Sequence, residues 1–279
     1  MRQLVAFLFI LTLSACQVSP EERTEFVWQD ASVTELQAAM GSGQLSAEQL
    51  TEYYLQRIKS HNRQGANLRA VNSVNKNALA DARRLDKERR AGKVRGPLHG
   101  IPVLLKDNID TADGMANTAG SLLFAKNYPQ DNAFLVQQLH DAGAIILGKA
   151  NLSEWANFRS TRSSSGWSAI GGQAVNPYDR TRSTCGSSSG SAAAVAADLT
   201  ALAVGTETDG SLTCPAAVNG IVTIKPTLGL ISRDGIIPIA HSQDTAGPMA
   251  RSVTGAALML DAMQAYDPQD PASYRAETT

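Results

Sequence analysis

The chain has 279 residues, 43% of them hydrophobic, and a formal net charge of −1. Enough apolar residue is present for a sizeable core, which excludes a disordered chain, and the charge balance excludes the basic surface that nucleic-acid binding needs. The three cysteines have neither the spacing nor the companion histidines of a zinc site.

The N-terminus reads as a targeting segment. Arg2 supplies a positive end, Leu4 to Leu13 is an apolar run too short to span a bilayer, and Leu13-Ser14-Ala15-Cys16 is a small-residue cleavage site ending in cysteine. That tetrapeptide resembles a bacterial lipobox. The resemblance implies a signal peptide over residues 1–15, lipid attachment to Cys16, a tether over residues 16–31 and one domain over residues 32–279. The protein would then be a lipoprotein on the periplasmic face of the outer membrane. An ordinary secretory signal, with Cys16 incidental, also gives export.

Ser32 to Met40 places Val33, Leu36 and Met40 at helical spacing, and Gly41 and Gly43 end that helix. Ser46-Ala47-Glu48-Gln49 is a capping box before a helix with Leu50, Tyr54 and Ile58 on one face. A third helix is expected from Lys76 to Arg90, its arginines and lysines forming a solvated face. Gly96 to Pro102 turns into a short apolar strand that ends at Lys106. A helix over Asn132 to Ala142, a strand over Ala144 to Leu147 and a helix over Asn151 to Phe158 follow. After a polar stretch, two loops rich in serine and glycine each lead into a small-residue helix: Thr184 to Ser191 into Ala192 to Ala197, and Gly205 to Ser211 toward Ala216. The second loop follows an apolar segment, Ala201 to Val204. A strand over Ile221 to Ile224, a segment punctuated by glycine and proline to Pro248, and an apolar helix over Val253 to Ala265 complete the chain. Strands alternating with helices predict an α/β fold with a mixed central β-sheet flanked by helices.

Backbone N–H groups at the two loop-to-helix junctions can hold a developing oxyanion, and a serine there is a candidate nucleophile. Gly186-Ser187-Ser188-Ser189-Gly190 matches a nucleophile elbow centred on Ser188, with His241 downstream, but the strand that an elbow requires is absent from the polar Thr181 to Thr184. Ser73-Val74-Asn75-Lys76 matches Ser-x-x-Lys without the partner motifs of penicillin-binding proteins. Lys106, at the end of a buried strand, reads by itself as a snorkelling side chain or as a desolvated base. Cys185 and Cys214 sit one in each serine-rich loop, and spacing alone leaves their pairing open.

Taken together and in order, Gly96 to Asn108, Thr118 to Ser121, Gly148 to Asn151, Asn176-Pro177, Gly186 to Ser191, Gly205 to Ala216 and Lys225-Pro226-Thr227 resemble the sequence blocks of the amidase signature family. The resemblance covers Leu36 to Ala265. The wording Thr206-Glu207-Thr208-Asp209-Gly210-Ser211 is similar to that of bacterial peptide amidases, which release ammonia from C-terminally amidated peptides. It implies a Ser-Ser-Lys triad: Lys106 as general base, Ser187 as bridging serine on a cis peptide bond, and Ser211 as nucleophile. The backbone N–H groups of Thr208, Asp209, Gly210 and Ser211 would form the oxyanion hole. Ser188 would give at most a supporting hydrogen bond, and no metal or organic cofactor is required. Asp209 stands where many members have glycine, so its carboxylate must point away from the oxyanion or be paired.

Family members commonly continue beyond the point where this chain ends, so the amidase signature fold is expected to be incomplete at its C-terminus. The expected function is hydrolysis of small or peptide amides through an acyl-enzyme. The alternatives are a non-catalytic truncated remnant or binding lipoprotein of the same fold, and the amidotransferase branch of the family, which the export segment argues against.

Overall fold

The computed structural model describes residues 26–273. Cys16, the signal peptide and the first part of the expected tether lie outside the described residues. The rest of that expected tether is corrected: Phe26 stacks on Tyr53 with ring centroids 3.9 Å apart, and Ala31 O accepts a hydrogen bond from Arg251 Nη2 at 2.9 Å. Phe26 and Ala31 therefore belong to the folded unit.

Helix α1 (Val33–Gly41) begins at Ser32, which forms a complete capping box with Glu35, and α2 (Ala47–His61) begins at Ser46, boxed with Gln49. Each box satisfies backbone N–H groups that a first turn otherwise leaves unpaired. Leu50, Tyr54 and Ile58 of α2 are buried together, as their spacing predicts. Strand β1 (Val71–Val74) contains Ser73, while Lys76 just beyond it is exposed, so the Ser-x-x-Lys pattern makes no site. Helix α3 (Ala78–Arg90) buries Ala78, Ala82, Leu85 and Asp86. Asp86 is tolerated because its carboxylate accepts the first N–H groups of α2, from Ala47 at 2.9 Å and Glu48 at 3.1 Å.

Strand β2 (Pro102–Lys106) is buried along its whole length. Helix α4 (Phe134–Asp141) and β3 (Ile145–Ala150) follow at the expected places. The helix expected over Asn151 to Phe158 is only a short 3-10 turn, Glu154–Asn157, with Trp155 and Ala156 in the left-handed region at φ 51° and 50°. Side chains there compete with helical hydrogen bonding. Asn151 Oδ1 accepts Leu152 N–H, and Ser153 Oγ accepts Gly166 N–H. A small hairpin, β4 (Trp167–Ser168) and β5 (Gly172–Gln173), was not expected from the sequence.

Helix α5 (Ser189–Ala196) is buried from Ser189 to Val195, which its small side chains permit, and it packs against β6 (Leu202–Glu207). It also lies tight against the loops of Ala70 and Asn151 at Gly190, where an added Cβ would lie 2.4 Å from both carbonyl oxygens. Helix α6 (Thr213–Val218), β7 (Val222–Thr223), β8 (Thr245–Ala250) and α7 (Val253–Met263) complete the order. Strand β8 corrects the irregular segment expected up to Pro248. Proline is tolerated there because β7 pairs only with Met249 and Ala250, so Pro248 lies beyond the end of that ladder.

The six strands run in the order β1-β3-β2-β6-β8-β7, with β3, β2 and β6 parallel and the others antiparallel to their neighbours. The parallel trio places Lys106, Ala150 and Glu207 at one end of the sheet, its carboxyl edge. Such edges are where open α/β sheets build their sites.

Candidate active site

Lys106 ends β2 in a fully buried position. Its Nζ lies 2.7 Å from Ser187 Oγ, 2.8 Å from Thr206 Oγ1 and 3.0 Å from Thr206 O. Burial lowers its pKa to about 7, against the opposing pull of Glu207 and Asp244. A lysine in that range is substantially neutral in weakly basic solution and can accept a proton.

Ser187 follows a cis peptide bond from Gly186, and its carbonyl accepts Ser153 N–H at 3.0 Å. Ser188 Oγ donates to Thr206 O at 3.0 Å and accepts Thr206 N–H at 3.2 Å, while Ser188 N–H donates to Ser211 O at 3.2 Å. These contacts fasten the loop of Ser187 to β6 on one side and to the loop of Ser211 on the other. No strand precedes Ser188, and the exposed His241 pairs with Arg233, so the elbow pattern forms no triad.

Ser211 is buried in the loop between β6 and α6. Glu207 organises this loop, a role the sequence reading missed. Its Oε2 accepts Leu212 N–H at 2.7 Å and Thr213 N–H at 3.0 Å. Burial pushes the Glu207 carboxyl up, and bonds from the amides of Thr213, Leu212 and Gly210 outweigh it and hold the group below the usual glutamate range. The same loop carries the amides of Thr208, Asp209, Gly210 and Ser211, the four expected oxyanion donors. Asp209 is exposed, so its side chain points to solvent.

Cys185 and Cys214 form a disulfide, which settles the pairing that spacing left open. It ties the loop of Ser187 to α6, directly after Ser211. Asn219 Nδ2 reinforces the tie by donating to Thr184 O at 3.0 Å.

Asn108 and Thr206 are two further residues that the sequence reading did not single out. Asn108 Nδ2 donates to Thr206 Oγ1 at 3.0 Å, and both residues line a cavity of about 400 Å³. Its lining also includes the apolar run Ile236-Ile237-Pro238-Ile239 and the carboxylate of Asp244. An apolar wall facing a few polar groups is the usual make-up of a small-molecule pocket. The signal for Asn108 was its position two residues after the strand lysine.

On the other face of β2, Lys149 is fully buried and donates to Ile109 O. Asp107 accepts Thr118 Oγ1–H at 2.5 Å and Asn72 Nδ2–H at 2.8 Å. These bonds fix the turn after Lys106 and hence the place of Asn108.

The chain matches the Amidase family model over residues 49–278. It is similar to the crystal structure of native peptide amidase from Stenotrophomonas maltophilia, with 59% identity and a TM-score of 0.86 over 89% of this chain and 50% of that one. A probable amidase of Arabidopsis thaliana is 45% identical over 89% of this chain and 48% of its own length. A glutamyl-tRNA(Gln) amidotransferase component from Thermobifida fusca is 44% identical over 87% of this chain and 47% of its own length. The chain spans about half the length of these relatives. The match over most of its residues, together with the likeness in fold, shows that the chain belongs to the amidase signature family.

Proposed function

We propose that this chain is an amide hydrolase in which Lys106, Ser187 and Ser211 work as a proton relay. The observation that carries the reading is the 2.7 Å contact between a fully buried lysine amine, its pKa brought to about 7, and the Ser187 hydroxyl. Neutral Lys106 takes the Ser187 proton, Ser187 takes the Ser211 proton, and Ser211 Oγ bonds to the amide carbon. The amides of Thr208, Asp209, Gly210 and Ser211 receive the negative oxygen. The proton held by Lys106 returns through Ser187 to the leaving nitrogen as the carbon–nitrogen bond breaks. Water then hydrolyses the acyl-enzyme.

The substrate class we infer is small or C-terminal peptide amides. Support comes from the 59% identity to a peptide amidase, against 44% to the amidotransferase component. We also infer export with a lipid anchor at Cys16, and the disulfide fits an oxidising compartment. The test is ammonia release from a C-terminally amidated dipeptide by the chain and by its Ser211→Ala variant. Release by the first alone supports the reading. Folded protein without release leaves the non-catalytic alternative.

A further inference from the structure

Lys106 Nζ meets three acceptor or hydroxyl positions: Ser187 Oγ, Thr206 Oγ1 and Thr206 O. A neutral amine has two protons to donate and one lone pair. The Thr206 carbonyl can only accept, so it takes one N–H. The other N–H and the lone pair are divided between two hydroxyls. If the lone pair faces Ser187, it can take that proton and the relay runs. If it accepts the Thr206 proton, Ser187 receives an N–H instead and the relay is blocked.

What decides between the two is the destination of the Thr206 proton. Among the described residues, the other hydrogen-bond partner of Thr206 Oγ1 is the Asn108 amide at 3.0 Å. The nitrogen and oxygen of an amide occupy positions that exchange by a half-turn about its last torsion. With Nδ2 toward Thr206, the threonine oxygen accepts, its proton is left to the lysine lone pair, and Asn108 Oδ1 is buried without a partner among the described residues. With the amide turned over, Oδ1 accepts the Thr206 proton and Thr206 Oγ1 accepts the second lysine N–H. The lone pair is then free for Ser187. Asn108 is 4% exposed and stands on the cavity wall, so packing holds it against Thr206.

We propose that Asn108 and Thr206 are positioning residues that aim the lone pair of Lys106 at Ser187, with the Asn108 amide oxygen taking the Thr206 proton that would otherwise occupy it. The kinetic consequence rests on the hydrolase reading above. Protons balance in the aimed state: one passes from Ser187 to Lys106 and one from Ser211 to Ser187, leaving an ammonium and a carbonyl-derived oxyanion. The charged groups that bear on Lys106 are Glu207, on β6, and Asp244, ahead of β8. Lys149 pairs in register with Leu105 and so projects from the opposite face of the sheet.

The test is a double-variant cycle read by kcat and KM at about pH 8, where Lys106 is largely neutral. Asn108→Leu removes the acceptor at nearly constant volume, and kcat is expected to fall about tenfold or more with KM little changed. Thr206→Val removes the competing proton, so adding it to Asn108→Leu is expected to raise kcat to the level of Thr206→Val alone. A double variant at or below Asn108→Leu would mean that Asn108 only packs, and would overturn the proposal. A second readout needs no substrate: the titration of Lys106 followed by its 13Cε resonance. Thr206→Val takes an acceptor from the ammonium, so the Lys106 pKa should drop by roughly half a unit to one unit. An unchanged or raised value overturns the proposal. If the parent chain hydrolyses no amide, the hydrolase reading fails and this titration alone decides the role of Thr206.

Discussion

Glu207 Oε2 accepts the backbone N–H of Leu212 at 2.7 Å, so a carboxylate at the end of β6 holds the loop that carries Ser211. Replacing it by Gln keeps the shape and removes the charge. Charge-assisted bonds to a buried carboxylate contribute roughly 1.5–3 kcal/mol each, and Glu207→Gln is expected to lower stability by about 2 kcal/mol. Urea unfolding measures this. Because the folded-state pKa lies below the ordinary glutamate value, the contribution is whole above the ordinary range and disappears as pH falls through the folded value. The difference between parent and Glu207→Gln should therefore narrow in acid.

Lys106 carries the opposite sign. Its pKa is depressed to about 7 by burial, so between there and the ordinary lysine value the unfolded chain binds more protons than the folded one. Stability from this group rises with pH across that window, and the penalty is whole below it. At about 1.4 kcal/mol per unit, that penalty is of the order of 5 kcal/mol. The prediction is that Lys106→Met abolishes amide hydrolysis yet unfolds at higher urea than the parent at neutral pH, with the gap closing toward pH 10. Equal gaps at both pH values would contradict it.

The disulfide joins residues 29 apart in sequence. Closing a loop of that size restricts the unfolded chain by roughly 3–4 kcal/mol. Removing both thiols, with Cys185→Ala and Cys214→Ala, should lower the urea midpoint accordingly. Since the bond ties the loop of Ser187 to the helix after Ser211, kcat should fall as well. The matching observation is parallel loss of activity and appearance of two free thiols when a dithiol is added to the native chain.

Gly190 is a point at which α5 lies tight against the backbone of its neighbours. A Cβ there would meet Ala70 O and Asn151 O at 2.4 Å and Asn151 N at 2.5 Å, all main-chain atoms with no rotamer to yield. Gly190→Ala is expected to cost about 3 kcal/mol or more, read as a fall in the thermal midpoint. A neutral result would show that α5 can shift on the sheet.

Much of this arrangement was legible in the sequence where local chemistry decides structure. Ser32 and Ser46 announced two helix starts by their capping partners, and Lys106 announced itself at the end of an apolar strand. The resemblance placed Ser187 and Ser211 on neighbouring loops, and the structure brings those loops together through the Ser188 N–H bond to Ser211 O. What escaped depended on distant partners. The turn at Trp155 looks helical in sequence because the bonds of Ser153 to Gly166 and Ser187 cannot be read locally. Strand β8 was hidden by Gly247 and Pro248, which a strand tolerates only when its neighbours are known. Glu207, Thr206 and Asn108 lay inside or beside the quoted blocks, but their roles come from pairing β2 with β6, a contact across about a hundred positions of chain.

The most direct test of the account is to find the acyl group. An amide substrate is mixed with the chain, the reaction is quenched in acid within the first turnover, and the peptide containing Ser211 is weighed by mass spectrometry. The account predicts a mass increase equal to the acyl portion on Ser211, absent from Ser211→Ala and from Lys106→Met. Turnover that survives in Ser211→Ala, or an acyl group found on another residue, would contradict it.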